Sequence, residues 1–413
     1  MVNLTTESIC IVSAARTPIG RFNGNLREVV ATELAAAAIR GLIEKSRVDP
    51  TAVDTMNLGN VVHGGLGMAA AKAAAVKGGL PESVCARSID SVCGSGLDAI
   101  SLAVESLMVG SSRVAIAGGM ESRSTAPYLL GPRFMRNVGD FSKGSLPKLK
   151  RAGAYRWSLD GGEAEQLKGL EIKDATTYDG LFCVPERKFM REYALQFVKE
   201  QGYSVETINE YAAESHRKAK EATESGDFVA ETVACGDIMQ DDLLPESKQQ
   251  SILADSPDDP ASVYNSSVPA DNASVILLAT ASTANELGLQ PMARVLGYGR
   301  VDCAAAEFLT APVAAHNDLK EALAKAGKSS AFDLIEANEA FACQLPYFEE
   351  HFGDAEINVH GGAVALGHPL GAAGARLLTT LLHALQQRGK AHGLVTLCFG
   401  GGGAVAMAVE RVT

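Results

Sequence analysis

The chain lacks paired cysteines. Its eight, Cys10, Cys85, Cys93, Cys183, Cys235, Cys303, Cys343 and Cys398, are scattered with no C-x-x-C pair. That spacing signals neither a structural zinc site nor a disulfide framework, so no metal is expected. Reduced thiols fit a reducing compartment, with the cytoplasm as the expectation. No run approaches 18 consecutive apolar residues without Gly or charge, so no membrane span is indicated. The opening Met1-Val2-Asn3-Leu4-Thr5-Thr6-Glu7 has neither the basic nor the apolar region of a secretory signal. Positive charge is in deficit: 37 Lys and Arg against 49 Asp and Glu give a net charge of −12. A general nucleic-acid binder is thereby disfavoured.

What is present is a large apolar core. Hydrophobic residues make up 46% of 413, enough for two or three domains and against disorder, and 41 glycines imply many tight turns. The first 120 residues alternate strand and helix signals. Strands are expected at Ile9–Ser13, Thr55–Val62, Val84–Ile89 and Val114–Ala117, and helices at Glu33–Glu44 and Gly67–Lys77. Such alternation indicates a layered α/β fold. Between Arg123 and Ser266 the texture changes. The segment 131–157 carries Arg133, Arg136, Lys143, Lys148, Lys150, Arg151 and Arg156 against Asp140 alone. It reads as a solvated loop, with attraction of a phosphate-bearing ligand as the alternative. Ser204–Ala222 reads as a capped helix, and the polar, Pro-containing stretch from Asp237 to Ser262 as loop.

The stretch Ser91-Val92-Cys93-Gly94-Ser95-Gly96 precedes an apolar helical face of Leu97, Ile100, Val104, Leu107 and Met108. Cys93 then stands in a strand-to-helix turn beside the unpaired N–H groups of a helix start, where a thiol pKa falls. By itself the turn reads equally well as a buried cysteine before packing glycines. An internal repeat adds to it. Asp54 and its strand correspond to Asp333, the Cys93 turn to His368-Pro369-Leu370-Gly371, and Val114–Gly119 to Leu394–Gly402, all separated by about 280 residues. A duplicated α/β unit follows, with a polar excursion inserted in the first copy. Cys93 and His368 occupy equivalent turns and can face each other, and a Cys–His pair together with a second cysteine suits nucleophilic and acid–base chemistry.

The motifs Ser13-Ala14-Ala15-Arg16-Thr17-Pro18, Cys93-Gly94-Ser95-Gly96-Leu97, Gly118-Gly119-Met120-Glu121-Ser122, Asn338-Glu339-Ala340-Phe341, Gly367-His368-Pro369 and Cys398-Phe399-Gly400-Gly401-Gly402 resemble those of the thiolase family along nearly the whole chain. The resemblance implies an acyl-CoA C-acyltransferase, of acetyl-CoA acetyltransferase or 3-oxoacyl-CoA thiolase type, with a duplicated five-layer αβαβα fold. Residues 1–122 and 267–290 would form the N-terminal half, 123–266 a loop domain binding acyl-CoA, and 291–413 the C-terminal half. By resemblance Cys93 is acylated, His368 activates it, and Cys398 moves the Cα proton of the second substrate. Helix and histidine together are expected to lower the Cys93 pKa. Asn338 holds a water that, with His368, steadies an enolate, while the N–H groups of Cys93 and Gly400 form a second oxyanion hole. Coenzyme A is substrate or product and no cofactor is implied; a homodimer or homotetramer is expected.

Departures from the family pattern fall in the acyl-carrier region. Phe189-Met190-Arg191 stands where His-Met-Gly is usual, followed by Glu192-Tyr193-Ala194. Val268 replaces a glycine beside Ser267, His360 replaces an asparagine, and the loop between Pro127 and Asp179 is long. Ser267, Met190, His360 and Phe341 are the residues expected to contact substrate or coenzyme A. The departures keep open an acyltransferase acting on a non-CoA or carrier-protein acceptor, and a non-catalytic binding relative as a lesser reading.

Overall fold

The computed structural model describes residues 7–130, 149–151, 157–159 and 172–412. The basic cluster of 131–157 lies outside them, apart from the backbone of 149–151 and 157. The elements that build the core are β1 (Ile9–Arg16), α1 (Ala31–Ser46), β2 (Thr55–Gly59), α2 (Ala70–Lys77), β3 (Cys85–Ile89), α3 (Ser95–Met108) and β4 (Val114–Ser122). Then come α4 (Ala175–Leu181), α5 (Met190–Gln201), α6 (Val205–Ser225) and α7 (Glu246–Asp255). The chain closes with β5 (Ala270–Thr280), β6 (Ala293–Asp302), α8 (Ala311–Lys325), β7 (Leu334–Ala337), α9 (Gln344–His351), β8 (Glu356–Ile357), α10 (Ala373–Gln387), β9 (His392–Cys398) and β10 (Gly403–Arg411).

The strand order is β8-β7-β9-β10-β6-β1-β5-β4-β2-β3, and it contains one arrangement twice. In the first group β2 runs parallel to β3 and β4, while β5 is antiparallel to β4 and β1. In the second, β7 runs parallel to β8 and β9, while β10 is antiparallel to β9 and β6. The groups meet where Cys10 and Ile11 of β1 pair with Arg294 and Ala293 of β6.

Side-chain alternation turns these groups into layers, because successive strand residues point to opposite faces. In β5, Val275, Leu277 and Ala279 pack with Leu34, Ala38 and Leu42 of α1. Ile276 and Leu278 point the other way, into a cluster with Leu97 and Ile100 of α3 and Leu377, Leu381 and Leu385 of α10. In β10, Val405, Met407 and Val409 join that same central cluster. Ala404, Ala406 and Ala408 instead face Val313, Leu319 and Leu323 of α8. The sequence of layers is helix, sheet, paired helices, sheet, helix: the five-layer α/β arrangement. Helices α5 and α6 add a further cluster in which Tyr193, Phe197 and Ile208 pack with Phe341, Val364 and Cys398.

Local readings hold at most elements and depart at a few. Ser204 caps α6, its side chain accepting from Thr207 N, and Gly226 closes the helix at φ 80°. Met108, read as part of the buried face of α3, is exposed at the last turn. Strand β2 stops at Gly59, short of Val62. The stretch read as loop from Asp237 to Ser262 contains α7, which has no buried residue. A helix without a buried face leaves no apolar period to read.

Strand β4 and the turn leading into α10 approach through glycine. A Cβ added at Gly119 would overlap Gly371 O and stand 2.7 Å from Ala372 Cα. Because both obstructing atoms are backbone, neither can move aside as a flexible side chain would. Gly119→Ala is therefore expected to destabilise the protein by about 3 kcal/mol through overpacking, seen as a lower urea midpoint with an unchanged slope.

Candidate active site

Cys93 is presented by a strained turn. After β3, Val92 adopts φ 51°, a left-handed conformation that a β-branched residue avoids at a cost of about 1–3 kcal/mol. Ser95 holds the turn: its Oγ accepts from Ser91 N at 2.8 Å and donates to Val92 O at 2.5 Å. Gly94 is the N-cap of α3, so Cys93 lies one residue outside the helix.

His368 comes from the corresponding connection of the second copy, between β8 and α10. Gly367 has φ 101°, open to glycine but strained for other residues, and His368 N then donates to Val268 O at 2.8 Å. Behind this loop the buried Glu121 carboxylate accepts from Gly371 N at 2.9 Å, Val61 N at 3.1 Å and Val62 N at 3.1 Å. The result is a contact across the two copies: His368 Nε2 lies 3.2 Å from Cys93 Sγ, and both residues are buried.

The remaining predicted residues arrive on the C-terminal half. The N–H groups of Gly400 and Cys93 both favour negative charge on Cys93 Sγ. The turn that carries Gly400 rests on the Cys93 turn, since a Cβ on Gly94 would meet Phe399 Cδ1 at 3.3 Å. Cys398 ends β9, where Gln344 Nε2 donates to its Sγ at 3.7 Å. Asn338 follows β7, and its Oδ1 and Nδ2 are both buried without a hydrogen-bond partner among the described residues. The Nδ1 of His368 is in the same condition. Unpaired buried polar atoms cost about 1–3 kcal/mol each, so each of these marks a place for a polar ligand atom or water.

Electrostatics corrects one expectation. Burial, opposed by the Gly400 N–H and the Arg123 charge, pushes the Cys93 thiol up to about 11 rather than down. Burial likewise drives His368 down to about 3, with Arg123 and Arg376 acting in the same direction. Burial also raises Cys398, the nearby Cys93 adding to it. The helix dipole is outweighed because the sulfur is fully desolvated and sits before the first helical turn. The resting pair is thus a neutral thiol hydrogen-bonded to a neutral imidazole, poised for proton transfer.

Of the residues expected to contact substrate, two lie close to this centre. A Cβ on Gly400 would meet Met190 Sδ at 3.2 Å, and Phe341 packs in the cluster that contains Cys398. Ser267 is tied by its N–H to Ala340 O at 3.1 Å. His360 lies elsewhere, edge-on to Phe228 and 3.7 Å from Asp227. Arg191 spends its guanidinium on Asp259, at 2.8 and 2.7 Å, and on Ala261 O at 3.2 Å. A cavity of about 540 Å³ between α6 and α7, lined by His216, Arg217, Lys220, Leu244 and Tyr264, includes none of the residues around Cys93. Sequence reasoning missed Arg123, buried beside the Cys–His pair; its only signal was an arginine directly after the Gly-Gly-Met-Glu-Ser motif.

Comparison with known proteins identifies the family. Residues 9–274 match the family model for the thiolase N-terminal domain, and residues 289–411 match that for the thiolase C-terminal domain. The chain belongs to the thiolase family. As a thiolase it is an acyltransferase. It is 39% identical to an acetyl-CoA acetyltransferase of Escherichia coli, covering 98% of this chain and 100% of the relative. It is 36% identical to one from Allochromatium vinosum, over 98% and 100%. Among solved structures, the acetyl-CoA acetyltransferase of Bacillus anthracis superposes with a TM-score of 0.84 at 29% identity, covering 99% and 100% of the two chains. A thiolase from Ascaris suum in complex with coenzyme A gives 0.81 at 30% identity, over 98% and 100%.

Reactivity of the thiol tests the electrostatics. Thiolate is the reacting form, and its fraction rises about tenfold per pH unit below the pKa. Alkylation of Cys93 by iodoacetamide is expected to climb from pH 7 to 10 without a plateau. A plateau beginning near neutrality would show a thiol pKa held down instead.

Proposed function

We propose that this thiolase condenses an acyl-CoA with acetyl-CoA, and runs the reverse thiolysis of a 3-oxoacyl-CoA, through acyl-Cys93. The observation that carries the reading is the 3.2 Å approach of His368 Nε2 to Cys93 Sγ, with both residues buried. Cys93 attacks the thioester carbonyl as its proton passes to His368. The tetrahedral oxyanion develops between the N–H groups of Cys93 and Gly400, a preorganised arrangement whose single donors are typically worth about 10²–10³ in rate. Coenzyme A leaves with the Cys398 proton, and Cys398 becomes the thiolate base. It then takes a proton from Cα of acetyl-CoA, and the enolate is held by protonated His368 and by water on Asn338. Carbon–carbon bond formation expels Cys93, which recovers its proton from His368, so every proton is accounted for.

In this reading residues 1–122 with 267–290 form the nucleophile-bearing half, 291–413 the acid–base half, and 123–266 the acyl-CoA-binding domain. Met190 and Phe341, which border the catalytic groups, are assigned to the substrate channel together with Ser267. The protein is taken to act in the cytoplasm as a homodimer or homotetramer. Among the described residues no helix is long and apolar enough to cross a membrane. A carrier-protein acceptor gains nothing from Arg191, whose charge is already paired with Asp259.

Incubation with acetyl-CoA is expected to add an acetyl group to the peptide containing Cys93, detected by mass. Cys398→Ala should still be acetylated there, more slowly because the leaving coenzyme A loses its proton donor, while condensation falls by about 10²–10⁴, the usual worth of a positioned acid or base. A folded sample that accepts no acyl group from any chain length of acyl-CoA would overturn the proposal.

A further inference from the structure

Arg123 is a buried cation that the reaction as described leaves unused. It is 1% exposed and follows directly on β4, two residues after Glu121. Its Nη2 donates to Thr176 O in α4 at 2.7 Å, and Thr176 Oγ1 donates back to Arg123 O at 3.2 Å. Its Nε is buried without a partner, and no carboxylate among the described residues lies within ion-pairing distance of the guanidinium. A guanidinium out of water with one carbonyl contact is costly, and such a group persists where its charge is used.

Its position says where. A Cβ on Gly180 would stand 2.8 Å from Leu370 Cδ1 and 3.1 Å from Arg123 Nη2, so the guanidinium and Leu370 meet at one point of α4. Leu370 lies two residues beyond His368 and next to Gly371, whose N–H Glu121 holds. Arg123 and Glu121 thus brace the loop that presents His368 from the same strand end. The charges acting on Cys93 are Arg123, which favours its anion, and Glu121, which opposes it, with the Gly400 and Cys93 N–H groups also favouring it. On His368 they are Arg123 and Arg376, both disfavouring protonation. On Arg123 itself they are Glu121, Cys93, Asp174 and Asp271.

We propose that Arg123 is a positioning residue for acyl transfer: a permanent charge locked between α4 and the His368 loop that favours negative charge on Cys93 Sγ. The inference rests on the acyl-Cys93 reading. It adds to what the Cys93 and Gly400 N–H groups supply as the proton leaves a desolvated thiol. Lysine at this position keeps the charge and methionine keeps only the bulk.

The test is the pH dependence of Cys93 alkylation by iodoacetamide, which needs no acyl substrate. Arg123→Met is expected to move the rising limb to higher pH, lowering the rate at pH 8 by about tenfold, as one unit of pKa requires. Arg123→Lys should restore most of the profile. Arg123→Gln, which keeps a donor for Thr176 O, serves as the neutral variant if Arg123→Met does not fold. A neutral variant whose profile superimposes on that of the parent overturns the proposal, as does a lysine variant no better than methionine. Thiolysis lost only for 3-oxoacyl-CoA chains ending in a carboxylate, with alkylation unchanged, also overturns it, in favour of substrate binding. If the parent protein takes no acyl group from acetyl-CoA, the acyl-transfer reading fails while the alkylation profiles still report on Arg123.

Discussion

The site depends on one buried carboxylate. Glu121 has no exposure, and burial raises its pKa, so it is retained only because its acceptors are filled. Its donors come from both copies of the α/β unit: Asn60 Nδ2 at 3.0 Å, Val61 N and Val62 N from the first, and Gly371 N from the second. Each is a backbone or side-chain N–H that burial would otherwise strand. Satisfying the carboxylate therefore fixes the loop after β2 against the loop before α10. Since Gly371 is three residues from His368, the imidazole is placed relative to Cys93 by a bond that neither Cys93 nor His368 makes.

Duplication explains why the constraint sits there. Both copies send the connection between their edge strand and their central helix to the same place, so Cys93 and His368 approach from opposite halves. The central helices must come close enough for this, and glycine permits it. An added Cβ on Gly96 would lie 2.9 Å from Gly371 O, and one on Gly374 would lie 2.8 Å from Leu97 N. The packing of α3 on α10 and the Cys–His contact are one feature seen at two scales.

Legibility in the sequence followed periodicity. The alternating strands, the apolar face of α3 and the repeat at about 280 residues are patterns of spacing, and the layered, duplicated α/β class followed from them, while the five-layer order came with the family resemblance. Cys93, His368 and Cys398 could be singled out because chemistry-bearing residues stood in turns bounded by glycine. Helix α7 was invisible because it buries nothing. His360 was singled out because it stands where the family carries asparagine, and the backbone turns it toward Phe228. Burial was the least legible quantity. A thiol before a helix suggests a lowered pKa until the depth of the sulfur is known, and depth is set by residues from three distant segments.

Depth also decides how the chemistry must run. With Cys93 near 11 and His368 near 3, an ion pair held in advance would oppose the desolvation of both groups. Charge is better formed only as the substrate carbonyl accepts it, when the Cys93 and Gly400 N–H groups gain a full oxyanion partner. In the proposed mechanism those donors do little for a resting thiol and much for the tetrahedral intermediate, which is the condition for lowering a barrier rather than a ground state. The strained Val92 belongs to the turn that presents Cys93, and its cost is offset by the bonds Ser95 makes with Ser91 N and Val92 O.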